Sequence, residues 1–357
     1  MKKIKAAHYS IIADSNNNAG DNLLFESVRK IIDHFFNGEI EWKIESMWDV
    51  NSSSQINSNN CHFAIFGGGG IILPDQSGAS KINDTGWSLD IKNDDYKNIK
   101  IPYFATAIGY NWFRKSNINP LKVSKNLDSF IKNSKYVGFR NKGSLDKVQN
   151  LTGHFYDNVG ILPCPTTLLN SFYFDNDTKK NQSSVFNAAI NIGCDRLDQR
   201  DIKLKDFAKL NKPLEWMSNN GYKITYLAHK DVDLKVLEHL KVGSIKNISR
   251  YTTKELLKTY SDFDIVFGGR GHSLMIPFGL GIPIVSITTH DKQKFFMDDI
   301  KCSECNLELS QITTSSILNF VKNLDKNISS QTELNIEYQK NGYESWKNFV
   351  RYLENCI

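Results

Sequence analysis

FDIVFGGRGHSLMIPFGLGIPIVSITTHDK, residues Phe263 to Lys292, is the stretch that decides the fold. An apolar run from Phe263 to Phe267 reads as a strand and is followed by two glycines. Arg270-Gly271-His272 then leads into an apolar helix, Ser273 to Leu280. A second strand, Pro283 to Ile287, runs out to His290-Asp291-Lys292. Strand, helix and strand in this order make a βαβ unit with a parallel pair. Two basic clusters then sit beyond the carboxyl ends of neighbouring strands, the edge at which open α/β sheets bind ligands. A glycine turn feeding a helix leaves backbone N–H groups facing that edge, suited to an anion. Arg270, His272, His290 and Lys292 add side-chain charge at the same mouth, and Gly271 opens the backbone to it. The expected ligand is small and strongly anionic, a phosphate or a phosphate with a carboxylate.

The same alternation extends in both directions. Before the quoted stretch, strand signals fall at Ala6–Ala13, Glu41–Ser46, Cys61–Phe66, Ile101–Ile108 and Tyr136–Phe139. Helical spacing falls between them at Asp21–Phe36, Leu121–Ile131 and Gly143–Gln149. Pro163-Cys164-Pro165 then stops regular structure, and the polar run DNDTKKNQSS (175–184) marks a domain boundary. A second series follows: strand Val185–Ile192, helix Leu204–Asn219, strand Lys223–Ala228, and helices Val232–Leu240 and Thr253–Tyr260. Alternating strands and helices predict parallel sheets covered on both faces. The expected architecture is α/β, with two Rossmann-like domains facing across a cleft in the GT-B manner. Residues 1–175 form the first domain and 176–330 the second. A closing amphipathic helix in 331–357 is long enough to pack across both.

Composition narrows the function. At 357 residues the chain is long for one core and suits two. Its 44 basic against 39 acidic residues leave a scattered net charge of +5. A nucleic-acid binder concentrates such charge, so none is expected as a partner; weak attraction to an anionic membrane surface stays open. No apolar segment approaches the ~20 residues of a membrane span, and the amino terminus reads as a strand instead of a signal peptide. The expected location is cytoplasmic, at most at the inner face of the membrane. Cys302 and Cys305 form a lone C-x-x-C with no second half, so the six cysteines read as free thiols in a reducing compartment. No metal site is expected.

Three further places draw attention. Asn18-Ala19-Gly20-Asp21 joins the first strand to the first helix, where Asp21 either caps the helix or serves as a base facing the cleft. Gly67–Gly70 follows a strand, and four glycines in a row are costly to order unless something approaches the backbone closely. The run is neither a Walker loop nor G-x-G-x-x-G, so it suggests a floor beneath a sugar. Arg140 ends a strand in a chain where lysine carries most of the positive charge, and its planar guanidinium suits carboxylate or phosphate.

Taken in order, N-A-G-D (18–21), the glycine run (67–70), F-R-N-K-G-S around Arg140, R-G-H (270–272) with its helix and G-I-P-I-V-S-I, and H-D-K (290–292) resemble the polysaccharide pyruvyltransferase family. The resemblance implies a GT-B-like enzyme that takes phosphoenolpyruvate as co-substrate, without other cofactors. It would set a pyruvyl ketal on a sugar of a cell-surface glycan or its lipid-linked precursor. It further implies that Arg270, His272 and Lys292 hold the donor's phosphate and carboxylate, with Arg140 of the first domain assisting, and that the first domain holds the acceptor. On chemical grounds His272 is expected as charge partner or catalytic acid and Asp21 as catalytic base, with Gly271 and His290 beside the donor and Asn18, Gly20, Gly68 and Gly69 beside the acceptor. The sequence departs from the family at Pro163-Cys164-Pro165, where many members carry an acidic D-P motif, and at Arg140-Asn141, where many carry R-D. A GT-B glycosyltransferase with a nucleotide-sugar donor is the competing reading, with Glu255 or Asp264 as the carboxylate for a donor ribose. A sugar-binding protein without catalysis is a third.

Overall fold

The structure, a computed structural model, describes residues 3–11, 18–73, 85, 87–115, 119–173 and 186–357. Among these residues, twelve strands divide into two parallel sheets. The first contains β1 (Lys3–Ser10), β2 (Glu39–Ser46), β3 (Phe63–Ile72), β4 (Tyr103–Tyr110), β5 (Tyr136–Phe139) and β6 (Val159–Ile161), in the order β2-β1-β3-β4-β5-β6. The second contains β7 (Phe186–Ile192), β8 (Tyr222–Ala228), β9 (Ser244–Asn247), β10 (Ile265–Gly269), β11 (Ile284–Thr288) and β12 (Asn306–Glu308), in the order β12-β11-β10-β7-β8-β9. The expected boundary stretch, 175–184, lies outside the described residues, as do Ile12 and Ala13 at the end of the first expected strand.

Continuous apolar runs explain the central strands. Phe63–Phe66 and Tyr103–Ile108 are buried on both faces, as parallel strands covered by helices must be. The glycine run does not end its strand: β3 continues through it to Ile72. Gly67, Gly68 and Gly69 take φ of +115°, +82° and +92°, a region that other residues enter at a cost. The first helix, Ala19–Phe35, lies close over them, with Leu24 atoms 3.2 Å from where a Cβ of Gly68 or Gly69 would stand. The segment Asp231–Glu238, where a full α-helix is expected, is a run of 3-10 turns. Its helical spacing yields to Asp233, whose side chain is fully buried and fixed by bonds outside the segment.

The two sheets share one apolar cluster. Leu23, Leu24, Val28 and Phe104 of the first half belong to it together with Leu274, Ile276 and Ile284 of the second. The helix Gly271–Gly279 is the wedge between them: a Cβ at its Gly279 would collide with the Thr166 carbonyl. The helix Gln331–Cys356 begins with the Gln331 amide on the backbone of Ile284 and ends with Phe349 packed on Phe104 and Tyr136. Arg114, just past β4, closes the rim with a bidentate pair to Glu308 (2.9 and 3.0 Å) and a bond to Asp291 (3.0 Å). These ties hold the two carboxyl sheet edges facing each other. Among the described residues no helix is long and apolar enough to cross a membrane.

Candidate active site

A cleft of about 460 Å³ lies where those edges meet. Asn18, Asp21, Gly68, Gly69, Arg140, Arg270, Gly271, His272 and Lys292, all singled out in the sequence, line it. Gly20 and His290 do not. The absent side chain of Gly20 serves packing: a Cβ there would stand 2.6 Å from the Cβ of His272. His290 is buried as the N-cap of the helix Asp291–Asp299, where its Nδ1 accepts the Lys292 N–H at 3.1 Å. Burial, then the charges of Lys292, Arg200 and Arg140, push its pKa well below the ordinary value, so it is a neutral cap, with Nε2 buried and without a hydrogen-bond partner.

Two helix N-termini meet in the cleft. Asp21 lies in the first turn of Ala19–Phe35, and His272 in the first turn of Gly271–Gly279. His272 Nδ1 is 3.2 Å from Asp21 Oδ1. Burial alone lowers the imidazole pKa, but the Asp21 carboxylate and the adjacent Cys164 sulfur outweigh it and raise the pKa to about 9. Burial likewise opposes the charge on Asp21, yet the His272 hydrogen bond and charge, with Lys230 and Lys292, hold it well below the usual carboxylate range. Asn18 Nδ2 also donates to Asp21 Oδ2 at 2.5 Å. A carboxylate so stabilised is a weak base, and what the structure shows of Asp21 is its contact with the His272 imidazole. His272 Nε2 is buried with no hydrogen-bond partner.

The cations divide into two groups. Arg270 is already neutralised: its Nε and Nη2 donate to both oxygens of the buried Asp233 at 2.8 and 2.5 Å. Asp195 Oδ1 adds an ion contact at 2.7 Å without hydrogen-bond geometry. Arg200, buried behind, donates to the Asp195 carbonyl at 2.9 Å and to Thr289 Oγ1 at 3.0 Å. Arg140 has no such company. It is 4% exposed, and its Nε and Nη2 are buried without partners. It fits only because residue 109 is glycine, since any Cβ there would overlap the guanidinium. Burial lowers its pKa from the ordinary arginine value. Lys292 is partly buried, and burial with the charges of Arg200 and Arg140 lowers its pKa to about 7. Buried donors like those of Arg140 are costly without a partner, and Lys292 lines the same cleft.

Sequence reading missed Asp195, Arg200, Asp233, His229 and Cys164. The acidic pair and Arg200 lie in irregular segments after β7 and β8, with no motif to mark them. Only their place after strands predicted to end at this edge pointed to them. His229 lines the cleft and bonds the Tyr260 hydroxyl at 2.5 Å, and burial drops its pKa to about 3, so it is neutral. Glu255 is spent on the N-cap of its own helix with Thr252, and Asp264 accepts the Asn187 N–H at the opposite, amino edge of the sheet. Among the described residues, Cys302, Glu304 and Cys305 bring ligand atoms within 4.8 Å of one another. They lie outside the cleft, with both thiols buried and Cys305 touching Gln331.

Two parallel-sheet domains with a charged cleft between their carboxyl edges define a GT-B-like transferase fold. Solved structures agree. The S. aureus MnaA–UDP structure superposes with a TM-score of 0.59 at 8% identity, over 100% of this chain and 98% of that one. UDP-GlcNAc 2-epimerase from Neisseria meningitidis bound to UDP-GlcNAc gives 0.56 at 11%, over 99% and 100%. The glycosyltransferase SnogD from Streptomyces nogalater gives 0.53 at 10%, over 99% and 100%. At such identities the likeness concerns the fold alone. No curated protein sequence matches the chain. The family model described as polysaccharide pyruvyl transferase matches residues 18–291, from the N-cap of the first helix to the H-D-K cluster. The chain belongs to that family and is a transferase.

Proposed function

We propose that the cleft moves a pyruvyl group from phosphoenolpyruvate to two hydroxyls of one sugar in a cell-surface glycan or its lipid-linked precursor, forming a pyruvate ketal. The precursor would be met at the inner face of the membrane. The observation that carries this reading is Arg140, a buried guanidinium with unpartnered donors that lines the same cleft as His272. Arg140, Lys292 and the Gly271 backbone would hold the donor's phosphate and carboxylate, where preorganised charge is most effective. The Asn18 and Gly68–Gly69 side of the cleft would hold the acceptor.

The chemistry then needs one proton donor. His272 Nε2–H gives its proton to the methylene carbon as the C=C bond breaks, making the methyl group. The first hydroxyl oxygen bonds the central carbon and returns its proton to His272. The second hydroxyl oxygen then bonds the same carbon as the C–O bond to phosphate breaks, and its proton leaves with the phosphate. Asp21 keeps the imidazole charged between turnovers, as a general acid working near neutral pH requires. Neither of the carboxylates the nucleotide-sugar alternative called on, Glu255 or Asp264, lines the cleft. The test is phosphate release from phosphoenolpyruvate with and without a glycan acceptor, with labelled pyruvyl carbon followed into the product. Release that depends on the acceptor supports the reading. Transfer of label from a nucleotide-sugar, with no binding of phosphoenolpyruvate, overturns it.

A further inference from the structure

The lining of the cleft changes in chemistry from place to place. Arg270, His272 and Lys292 of the second half and Asp21 and Arg140 of the first carry its charge. Beside them, Trp48, Gly68, Gly69, Gly70 and Asn111 of the first half make an uncharged stretch of wall. Asn111 follows β4 directly, and its backbone N–H donates to the Ile72 carbonyl at 2.9 Å. Its side-chain Nδ2 donates to the Gly70 carbonyl at 3.3 Å, which fixes which way the amide faces. Gly70 is part of that arrangement, since a Cβ there would stand 2.8 Å from Asn111 Cγ. The remaining atom, Asn111 Oδ1, is buried and accepts no hydrogen bond.

This orphan is the reverse of the one on Arg140. A buried guanidinium without acceptors asks for an anion. A buried carbonyl oxygen without a donor asks for an O–H or N–H and repels a carboxylate or phosphate. Trp48 stands at the same wall, on the short turn Met47–Asp49 after β2, with its backbone N–H held by Ser46 Oγ at 3.3 Å. Trp48 lines the cleft, and an indole is a flat apolar surface of the kind that covers the C–H face of a pyranose.

We infer that Asn111 and Trp48 form a subsite for an uncharged pyranose, which gives a ring hydroxyl to Asn111 Oδ1 and lays its C–H face on the indole. The identification of that sugar as the acceptor rests on the pyruvyl-transfer reading; the preference for a neutral sugar rests on the wall itself. A uronic acid whose carboxylate would fall at Asn111 Oδ1 is therefore disfavoured against its parent hexose.

The test uses the full chain and two separate readouts. Binding of methyl hexopyranosides and of the matching methyl hexopyranosiduronic acids is measured by saturation-transfer NMR without donor. Phosphoenolpyruvate binding is measured by calorimetry. At least one hexopyranoside binds, and its uronate binds at least tenfold more weakly. Asn111→Ala and Trp48→Ala each weaken the neutral sugar about three- to tenfold, the worth of one hydrogen bond or one stacked face. Both leave phosphoenolpyruvate affinity unchanged, which also shows that they fold, and Trp48→Phe keeps most of the binding. Equal affinity for the uronate, or unchanged sugar affinity in both alanine variants, overturns the inference. Sugar binding with this pattern in a protein that never binds phosphoenolpyruvate would leave the subsite standing and remove the pyruvyl-transfer reading instead.

Discussion

Asp21 and His272 meet at 3.2 Å across the boundary between the two sheets, each in the first turn of its own helix. One comes from the amino-terminal half and the other from the carboxyl-terminal half, so neither half alone contains the charged imidazole. A helix N-terminus favours an anion and disfavours a cation. His272 is therefore charged against its own helix, and Asp21, with Cys164 beside it, reverses the balance. In Asp21→Asn the imidazole loses its ion pair, and its pKa falls from about 9 toward or below 6.5. The variant then holds a neutral His272 at pH 7.5, and turnover falls about 10²-fold or more, the usual worth of a positioned acid. An imidazole NMR titration of His272 in both proteins checks the shift directly. The sign for stability follows as well. A histidine whose pKa is raised on folding stabilises the fold fully below pH 6.5, and that contribution is lost as pH rises through about 9. Wild type and variant should thus converge in urea stability at high pH.

Arg140 makes the opposite trade. Its guanidinium is buried without partners for Nε and Nη2, so in the empty protein it costs stability. Replacing it by the apolar, similarly long Met removes unsatisfied donors instead of contacts. Arg140→Met should raise the midpoint of thermal unfolding, with a gain of about 1–3 kcal/mol, and should weaken phosphoenolpyruvate binding by tenfold or more. A variant that loses stability and keeps the donor would show that Arg140 is structural.

Asp233 anchors Arg270 and also accepts the backbone N–H groups of Cys194 (3.2 Å) and Lys230 (3.1 Å). Asp233→Ala strands a buried guanidinium and two amides. Breaking a buried pair from one side costs about 3–5 kcal/mol, which equilibrium unfolding in urea would register. Asp233→Asn, which keeps an acceptor oxygen, should lose less. The double variant Asp233→Ala with Arg270→Met should recover part of the loss, because it leaves no lone charge behind. A double variant less stable than Asp233→Ala would refute the pairing.

How far the sequence carried the fold shows in particular elements. Central strands are legible because both faces are buried and the run is apolar, as at Phe63–Phe66 and Phe263–Phe267. The three-residue β6 and β12 and the four-residue β9 are not, since so few residues leave no period to read. At the site, the family motifs located Arg140, Arg270, His272 and Lys292, because each follows a readable strand. Their roles were harder to read. Arg270 looks like the anion clamp until Asp233 is placed beside it, and Asp233 sits 37 positions away in a segment whose spacing suggests an ordinary helix. Nothing in the sequence marks Gly20 and Gly109 as packing positions, yet each is required by a side chain from elsewhere, His272 and Arg140. Such pairings are set by the crossing of elements, which one-dimensional spacing does not contain.

Lys292 supplies the last prediction, a proton count. Burial and neighbouring cations bring its pKa to about 7 in the empty protein, so near pH 7.5 much of it is neutral. An anion beside it restores the charge, because an opposite charge favours the protonated form. Binding of phosphoenolpyruvate should therefore take up protons at pH 7.5, and affinity should fall as pH rises beyond 7. Calorimetry at one pH in buffers of different ionisation enthalpy reads the uptake as the slope of apparent binding enthalpy. His272, with its pKa raised to about 9, is already charged at that pH and contributes little to the slope. Lys292→Met should bind the donor more weakly and lose most of the proton uptake at pH 7.5. If the variant takes up as many protons as the wild type, the titrating group is another one and Lys292 does not touch the anion.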